Sequence, residues 1–300
     1  MNRRINELIK DLESPFCYYA YLIKDEGPVD YFHFGIWEDG TRSIKEAQQN
    51  LASLVKSLIP EGVSKILDVG CGLGQTTYDL SAKGFAVTGI SPDKNLMDTA
   101  RAKFEGSGLS LVTTAFERYR PPEKQDLILF EESTQYINIQ TIFSRCRKLL
   151  NPAGHILMCD EIKYRNAEEA WFHKKTEILF LARAYGFKIL DNRNISDKTL
   201  PTRHFAMKRF LENKDLIIKE LSEKRDNVAE ELDTLMKSWD RFTQMFENGS
   251  CGYELFLFQK QAENGVSARL GKRFFRLLYF FFSTTRRLLK KIRRTIRPKH

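Results

Sequence analysis

Between Lys65 and Gln75 the chain changes character twice. Lys65-Ile66-Leu67-Asp68-Val69 is a short apolar run of strand type, and it breaks at once into Gly70-Cys71-Gly72-Leu73-Gly74-Gln75. The residues behind it, Thr76-Thr77-Tyr78-Asp79-Leu80, permit a helix. A strand that turns through alternating glycines into a helix is a nucleotide-type loop, because a side chain there would keep the backbone from a ligand and tight turns often need positive φ. The spacing then weakens one ligand class, the dinucleotides, and removes another. A dinucleotide fingerprint needs glycine at the first, third and sixth loop positions, and the sixth is Gln75. No Gly-Lys-Ser/Thr follows, so the loop is not a phosphate-cradling P-loop.

Asp68-Val69-Gly70-Cys71-Gly72-Leu73-Gly74 resembles the first motif of the class I S-adenosylmethionine-dependent methyltransferases, in its small-molecule and cyclopropane-synthase-like branch. The resemblance implies an α/β fold: a Rossmann-like, seven-stranded, mostly parallel sheet with helices on both faces. It divides the chain into a helical N-terminal cap at residues 1–60, a cofactor-binding core at 61–260 with a helical lid at about 195–249, and a tail at 261–300. S-adenosylmethionine is the implied cofactor, held by Asp68, Gly70, Gly72, Gly74 and Gln75 of the loop.

Further along, Phe85–Ile90 reads as a second strand ending at Ser91, where most of the family carries an acidic residue for the ribose hydroxyls. Asp93 reads as the cap of the next helix. Leu109–Thr114 is a third strand, and the family's adenine lies at the junction that follows it, here Ala115 and Phe116. The fourth, Gln125–Phe130, runs into Glu131 and Glu132, two carboxylates at the end of a central strand, where open α/β sheets bind ligands. Equally, one of them could cap the following helix. His155–Asp160 reads as the fifth strand and Gly186–Leu190 as another, with Gly252–Lys260 closing the fold. Near the N-terminus, Asp30–Gly40 is dense in aromatics, and its Gly35-Ile36-Trp37 resembles the family segment that lies over the cofactor. That makes Tyr31, His33 and Trp37 candidates. Charged, helical Ile195–Gly249 is too long for a connecting loop and resembles a substrate lid, which brings Leu200–His204 to the acceptor pocket. If the acceptor carries a proton at reaction pH, the candidate bases are His33, Glu131 and His204, in that order.

Composition adds a division of charge. The net charge of +9 comes from residues 264–300, which hold twelve Lys or Arg and no Asp or Glu; elsewhere 36 basic residues face 39 acidic ones. Leu278, Phe281, Phe282, Leu288, Leu289, Ile292 and Ile296 fall at helical spacing among arginines and lysines, the composition of an interfacial membrane helix. Residues 272–299 are thus expected to meet an anionic membrane surface. No aromatic-interleaved basic platform in the body points to nucleic acid. Five cysteines without zinc-type spacing and an N-terminus without an apolar leader fit a cytoplasmic protein, peripheral at a membrane and without a bound metal. The expected reaction is methyl transfer to a small, apolar or lipid-like acceptor. A cyclopropane-type lipid synthase and a non-catalytic cofactor-binding scaffold are the alternatives.

Overall fold

The computed structural model describes residues 7–23, 25–164 and 171–262, so the basic stretch 272–299 lies outside the described residues. Among the described residues there are eight strands: β1 (Lys65–Val69), β2 (Ala86–Ser91), β3 (Ser110–Thr113), β4 (Gln125–Glu131), β5 (Leu150–Lys163), β6 (His173–Lys174), β7 (Phe187–Asn194) and β8 (Cys251–Lys260). Seven form a continuous sheet in the order β3-β2-β1-β4-β5-β8-β7, and β6 adds a two-residue pairing to β5. Only β8 runs against the rest.

The sheet is Rossmann-like and its apolar runs are buried on both faces, as a mostly parallel sheet requires. Side-chain alternation shows this. Leu67, Ile128, Phe130, Ile156, Phe256 and Phe258 face one core, while Ile66, Leu127, Leu129, Leu157 and Leu255 face the other. The first core is covered by α5 (Ile139–Leu149) and α6 (Lys175–Ala184), through Ile142, Phe143, Ile178 and Leu181. Leu51 and Val55 of α2 (Ile44–Ser57) cover the second. Helix α2 is capped at its start by Ser43, whose hydroxyl accepts from the Glu46 N–H at 3.1 Å.

A third apolar cluster forms a helical layer beside the glycine loop. It joins Ile9, Leu12, Tyr18 and Tyr21, the last two flanking the short α1 (Phe16–Tyr19) or lying within it, to α7 (Ser196–Leu221) and α8 (Val228–Glu247). Leu73 of the loop and Leu96 of α4 (Lys94–Lys103) belong to the same cluster. The helix that follows the loop is α3 (Gln75–Ala82).

Boundaries move where a turn sequence hides inside a strand. β5 begins at Leu150, five residues before the expected start, because Asn151-Pro152-Ala153-Gly154 is absorbed as an irregularity with Ala153 at φ +57°. β6 has no periodic signal of its own.

Candidate functional site

Neighbouring strands reverse their chain order between β1 and β4, and in open α/β sheets ligands bind at the carboxyl ends of strands at such a point. The glycine loop leaves β1 there, and Glu131 and Glu132 leave β4. Gly70 fixes the approach of the two: it lies at φ +77°, and a Cβ on it would fall 2.4 Å from Ser133 Cβ. The Ser133 hydroxyl donates to the Val69 carbonyl at 2.6 Å, closing the junction. Gly72, at φ +54°, is different. A Cβ there would meet nothing nearer than the Phe32 ring at 3.8 Å, so its open side faces the space above the loop.

That space is a cavity of about 620 Å³. One end is polar, lined by Asp68, Gly70, Gly72, Gln75, Thr76, Ser91, Ala115, Phe116 and Glu131. The other is aromatic, lined by Phe16, Tyr19, Trp171, Phe172, Trp239 and Phe242. Residues 31–34 run along the cavity and are pinned from three directions. Gln48 of α2 donates to the His33 carbonyl at 2.8 Å, Glu132 accepts from the Phe34 N–H at 2.5 Å, and the Tyr31 hydroxyl donates to Asp79 at 2.9 Å. Asp79 also accepts from Gln75 at 2.8 Å and pairs with Lys56.

Individual side chains divide by role. The Asp68 carboxylate accepts from the Thr77 hydroxyl at 2.6 Å; burial, with the Glu131 charge beside it, raises it to about 7. Burial also raises Glu131 to about 7, and its Oε1 is enclosed with no protein partner. Glu132, held at φ +49°, is satisfied: it accepts from Phe34 and, at 2.6 Å, from the Tyr253 hydroxyl. The Ser91 hydroxyl has only a long 3.4 Å contact with the Asp93 N–H, while Asp93 caps α4 through Leu96 at 2.9 Å. Nδ1 of buried His33 lies 2.7 Å from the Phe34 carbonyl oxygen. A carbonyl only accepts, so Nδ1 carries the proton and Nε2 keeps its lone pair, which has no protein partner. Burial lowers His33 to about 4, so the ring is neutral at physiological pH.

Three sequence candidates stand elsewhere. The Trp37 indole donates to Thr202 of α7 at 2.9 Å and its ring packs 5.8 Å from Phe205, so it ties the N-terminal segment to α7 and does not line the cavity. Its companion Gly35 is glycine because a Cβ would fall 2.4 Å from Ala47 Cβ. Gly74 is the left-handed N-cap of α3, its missing Cβ facing Phe104 and Ala100. His204 is more than half exposed and reaches only Glu247, at 3.5 Å. Its neighbour Arg203 turns inward instead, about 100° round the helix.

Arg203 belongs to the stretch that the sequence brings to the acceptor pocket, but the sequence singles out His204 in its place. It is 2% exposed, paired with Glu161 of β5, and enclosed by Phe34, Trp239, Phe242 and Phe246 at 4.3–6.0 Å. It lines the cavity, and the quintet 200–204 was its only signal.

Residues 67–158 match the profile of a family described as "Methyltransferase domain". Among curated relatives, the ubiquinone biosynthesis O-methyltransferase of Vibrio atlanticus (strain LGP32) is 30% identical over 97 residues, covering 31% of this chain and 41% of that protein. For the first three such relatives the match spans 41–56% of their own length. Two solved structures share the fold. The mycolic acid cyclopropane synthase CmaA1 complexed with SAH and CTAB superposes with a TM-score of 0.67 at 18% identity, covering 86% of this chain and 94% of that one. The [4+2]-cyclase SpnF superposes with a TM-score of 0.66 at 20% identity, covering 82% and 94%.

Proposed function

We propose that the chain carries a class I S-adenosylmethionine-dependent methyltransferase domain and transfers a methyl group to a small, largely apolar acceptor bound in the aromatic end of the cavity. The observation that carries this reading is one continuous cavity with two chemically distinct ends, the polar end built from the motif residues and the other from aromatic rings.

The polar end fits the cofactor. Gly72 leaves open space where the loop must approach a ligand, and the enclosed, unpartnered Glu131 Oε1 matches a donor such as the ammonium of the methionine part. The available Ser91 hydroxyl fits a ribose hydroxyl, and Ala115 and Phe116 take the adenine side. When bound, the cofactor supplies a sulfonium methyl whose bond to sulfur breaks, its electron pair staying on sulfur, as the acceptor's lone pair forms the new bond. The protein's part is alignment and exclusion of water. Phe16, Tyr19, Trp171, Phe172, Trp239 and Phe242 supply the dry wall, and Glu132 fixes the floor by holding Phe34 and Tyr253. His33 and Glu131 are the two cavity-lining groups with an enclosed, unpartnered atom able to take a proton from the acceptor.

We extend the proposal to location. The acceptor is held in or near a membrane, with residues 272–299 supplying affinity for an anionic surface. The experiment is incubation of the full chain with methyl-labelled S-adenosylmethionine and a lipid and metabolite extract. Label should appear in a compound heavier by one methyl group. Absence of labelled product, together with absence of S-adenosylhomocysteine binding, would remove the reading.

A further inference from the structure

The aromatic end of the cavity carries a charge inventory that selects its ligand. Each carboxylate at that end is occupied. Glu132 accepts from Phe34 and Tyr253, and Glu161 is paired with Arg203. Among the described residues Arg203 is the only Lys or Arg lining the cavity, and Glu161 holds its charge. Its unpartnered Nε is walled by rings, with Phe246 at 4.3 Å and Phe34 at 4.9 Å from the guanidinium carbon. An anionic ligand therefore finds no free counter-charge there, and burying an unpaired charge is costly.

Besides the Glu131 and Gln135 oxygens and Arg203 Nε, the lining leaves one imidazole lone pair without a partner. His33 stands between the two ends: Tyr31, whose ring lies 4.5 Å from it, reaches Asp79 beside the loop, while Phe32 packs on Phe16 and Tyr19 at 5.0 and 5.7 Å. Its Nδ1 proton is spent on the Phe34 carbonyl, so Nε2 only accepts. An enclosed acceptor without a partner calls for a donor from the ligand.

We propose that the ligand of the aromatic end is a neutral aromatic hydroxyl compound, its hydroxyl donating to His33 Nε2 and its ring packed among Phe16, Tyr19 and Trp239. The inference rests on the methyltransferase reading for its assignment of this end to the acceptor. The neutral imidazole, kept so by burial, is then the partner that positions the hydroxyl.

The test uses the full chain and two probes with the same ring system and opposite handles, 2-naphthol and 2-naphthoate, titrated calorimetrically with and without saturating S-adenosylhomocysteine. Naphthol is expected to bind at least about tenfold more tightly than naphthoate at neutral pH. His33→Phe should lose about tenfold in naphthol affinity, the scale of one buried hydrogen bond, while keeping its affinity for S-adenosylhomocysteine. If that variant does not fold, nitrogen-15 spectra of the wild-type imidazoles decide, since the His33 Nε2 resonance should move with naphthol and stay with naphthoate. Equal or tighter binding of naphthoate overturns the inference and gives the role to Arg203. So does failure of naphthol to bind, unchanged affinity in a folded His33→Phe, or an unmoved Nε2 resonance. Failure of S-adenosylhomocysteine to bind while the naphthol preference holds removes the methyltransferase reading and leaves the hydroxyl site standing.

Discussion

Two glycines two residues apart should fail in opposite ways when each is changed to alanine. Both sit in the left-handed region, at φ +77° for Gly70 and +54° for Gly72, which costs an alanine about 1–2 kcal/mol. Gly72→Ala meets only the Phe32 ring at 3.8 Å, so its stability loss should stop there. Gly70→Ala drives a methyl to 2.4 Å from Ser133 Cβ, a contact that forces β1 and β4 apart and adds about 1–3 kcal/mol of overpacking. Urea denaturation should therefore show Gly70→Ala less stable than Gly72→Ala by about 1–3 kcal/mol. Binding runs the other way among molecules that remain folded. Gly72→Ala puts its methyl into the cavity where the loop meets the cofactor, and calorimetric affinity for S-adenosylhomocysteine should fall more than tenfold. A second change, Ser133→Gly, should relieve the overpacking part of the loss in Gly70→Ala, less the Ser133–Val69 hydrogen bond it removes, and should rescue nothing in Gly72→Ala. Wild-type affinity in folded Gly72→Ala, or equal stability of the two single variants, would refute the division of labour drawn from the geometry.

Three further outcomes are expected. Arg203→Met strips the partner from buried Glu161 and should cost about 3–5 kcal/mol in urea denaturation, with Glu161→Gln in the same chain recovering most of it; a loss under about 1 kcal/mol would mean the pair is solvated. Glu131 is raised from 4.5 to about 7, so the folded chain without ligand binds an extra proton between those values and this group's contribution to stability is lost as pH rises through that window. A ligand ammonium at Oε1 favours the ionised form. S-adenosylhomocysteine affinity should therefore weaken as pH falls below about 7, by up to about tenfold per unit, and Glu131→Gln should flatten the profile. Finally, removing residues 264–300 should leave cofactor affinity unchanged, because β8 is retained, while abolishing sedimentation with anionic vesicles at low salt; equal sedimentation of the two chains would end the membrane proposal.

The polar end of the site was legible because one contiguous segment encodes it. β1, the glycine loop and α3 follow each other in the chain, and the strand ends that complete the end, at Ser91, Ala115 and Glu131, each follow an apolar run readable by itself. The aromatic end was not. The pair Phe16 and Tyr19, then Trp171, then Trp239 come from three separate stretches, and nothing local in a sequence says that distant rings share a wall. Helical phase explains the error at His204: the stretch 200–204 does border the cavity, but only the packing of α7 decides which of two adjacent residues faces in. Trp37 misled for a related reason. A Gly-x-Trp segment serves a close helix approach as well as it serves a ligand, and here Gly35 against Ala47 and Trp37 against Thr202 use it for the former. The buried pair of Glu161 and Arg203 joins residues forty-two apart with no pattern linking them.

The direction of β8 sets what the residues after it can reach. Cys251 pairs with Lys163 at the carboxyl ends of the parallel strands, where the cavity opens, and Gln259 pairs with His155 near their beginnings. The chain therefore leaves the sheet at Lys260 on the side facing away from the ligands, a sheet's depth from the cavity mouth. Residues 263–300, drawn out fully, could cover at most roughly 130 Å. On the membrane proposal, a tail gripping a bilayer from that point would be a mooring line attached to the stern: it would raise the local concentration of the protein at the surface without aiming the bow at it. A bilayer-borne acceptor would then reach the aromatic rings only when the protein swings about its tether or the line passes round the hull. Shortening the line should slow turnover of such an acceptor before it weakens the mooring.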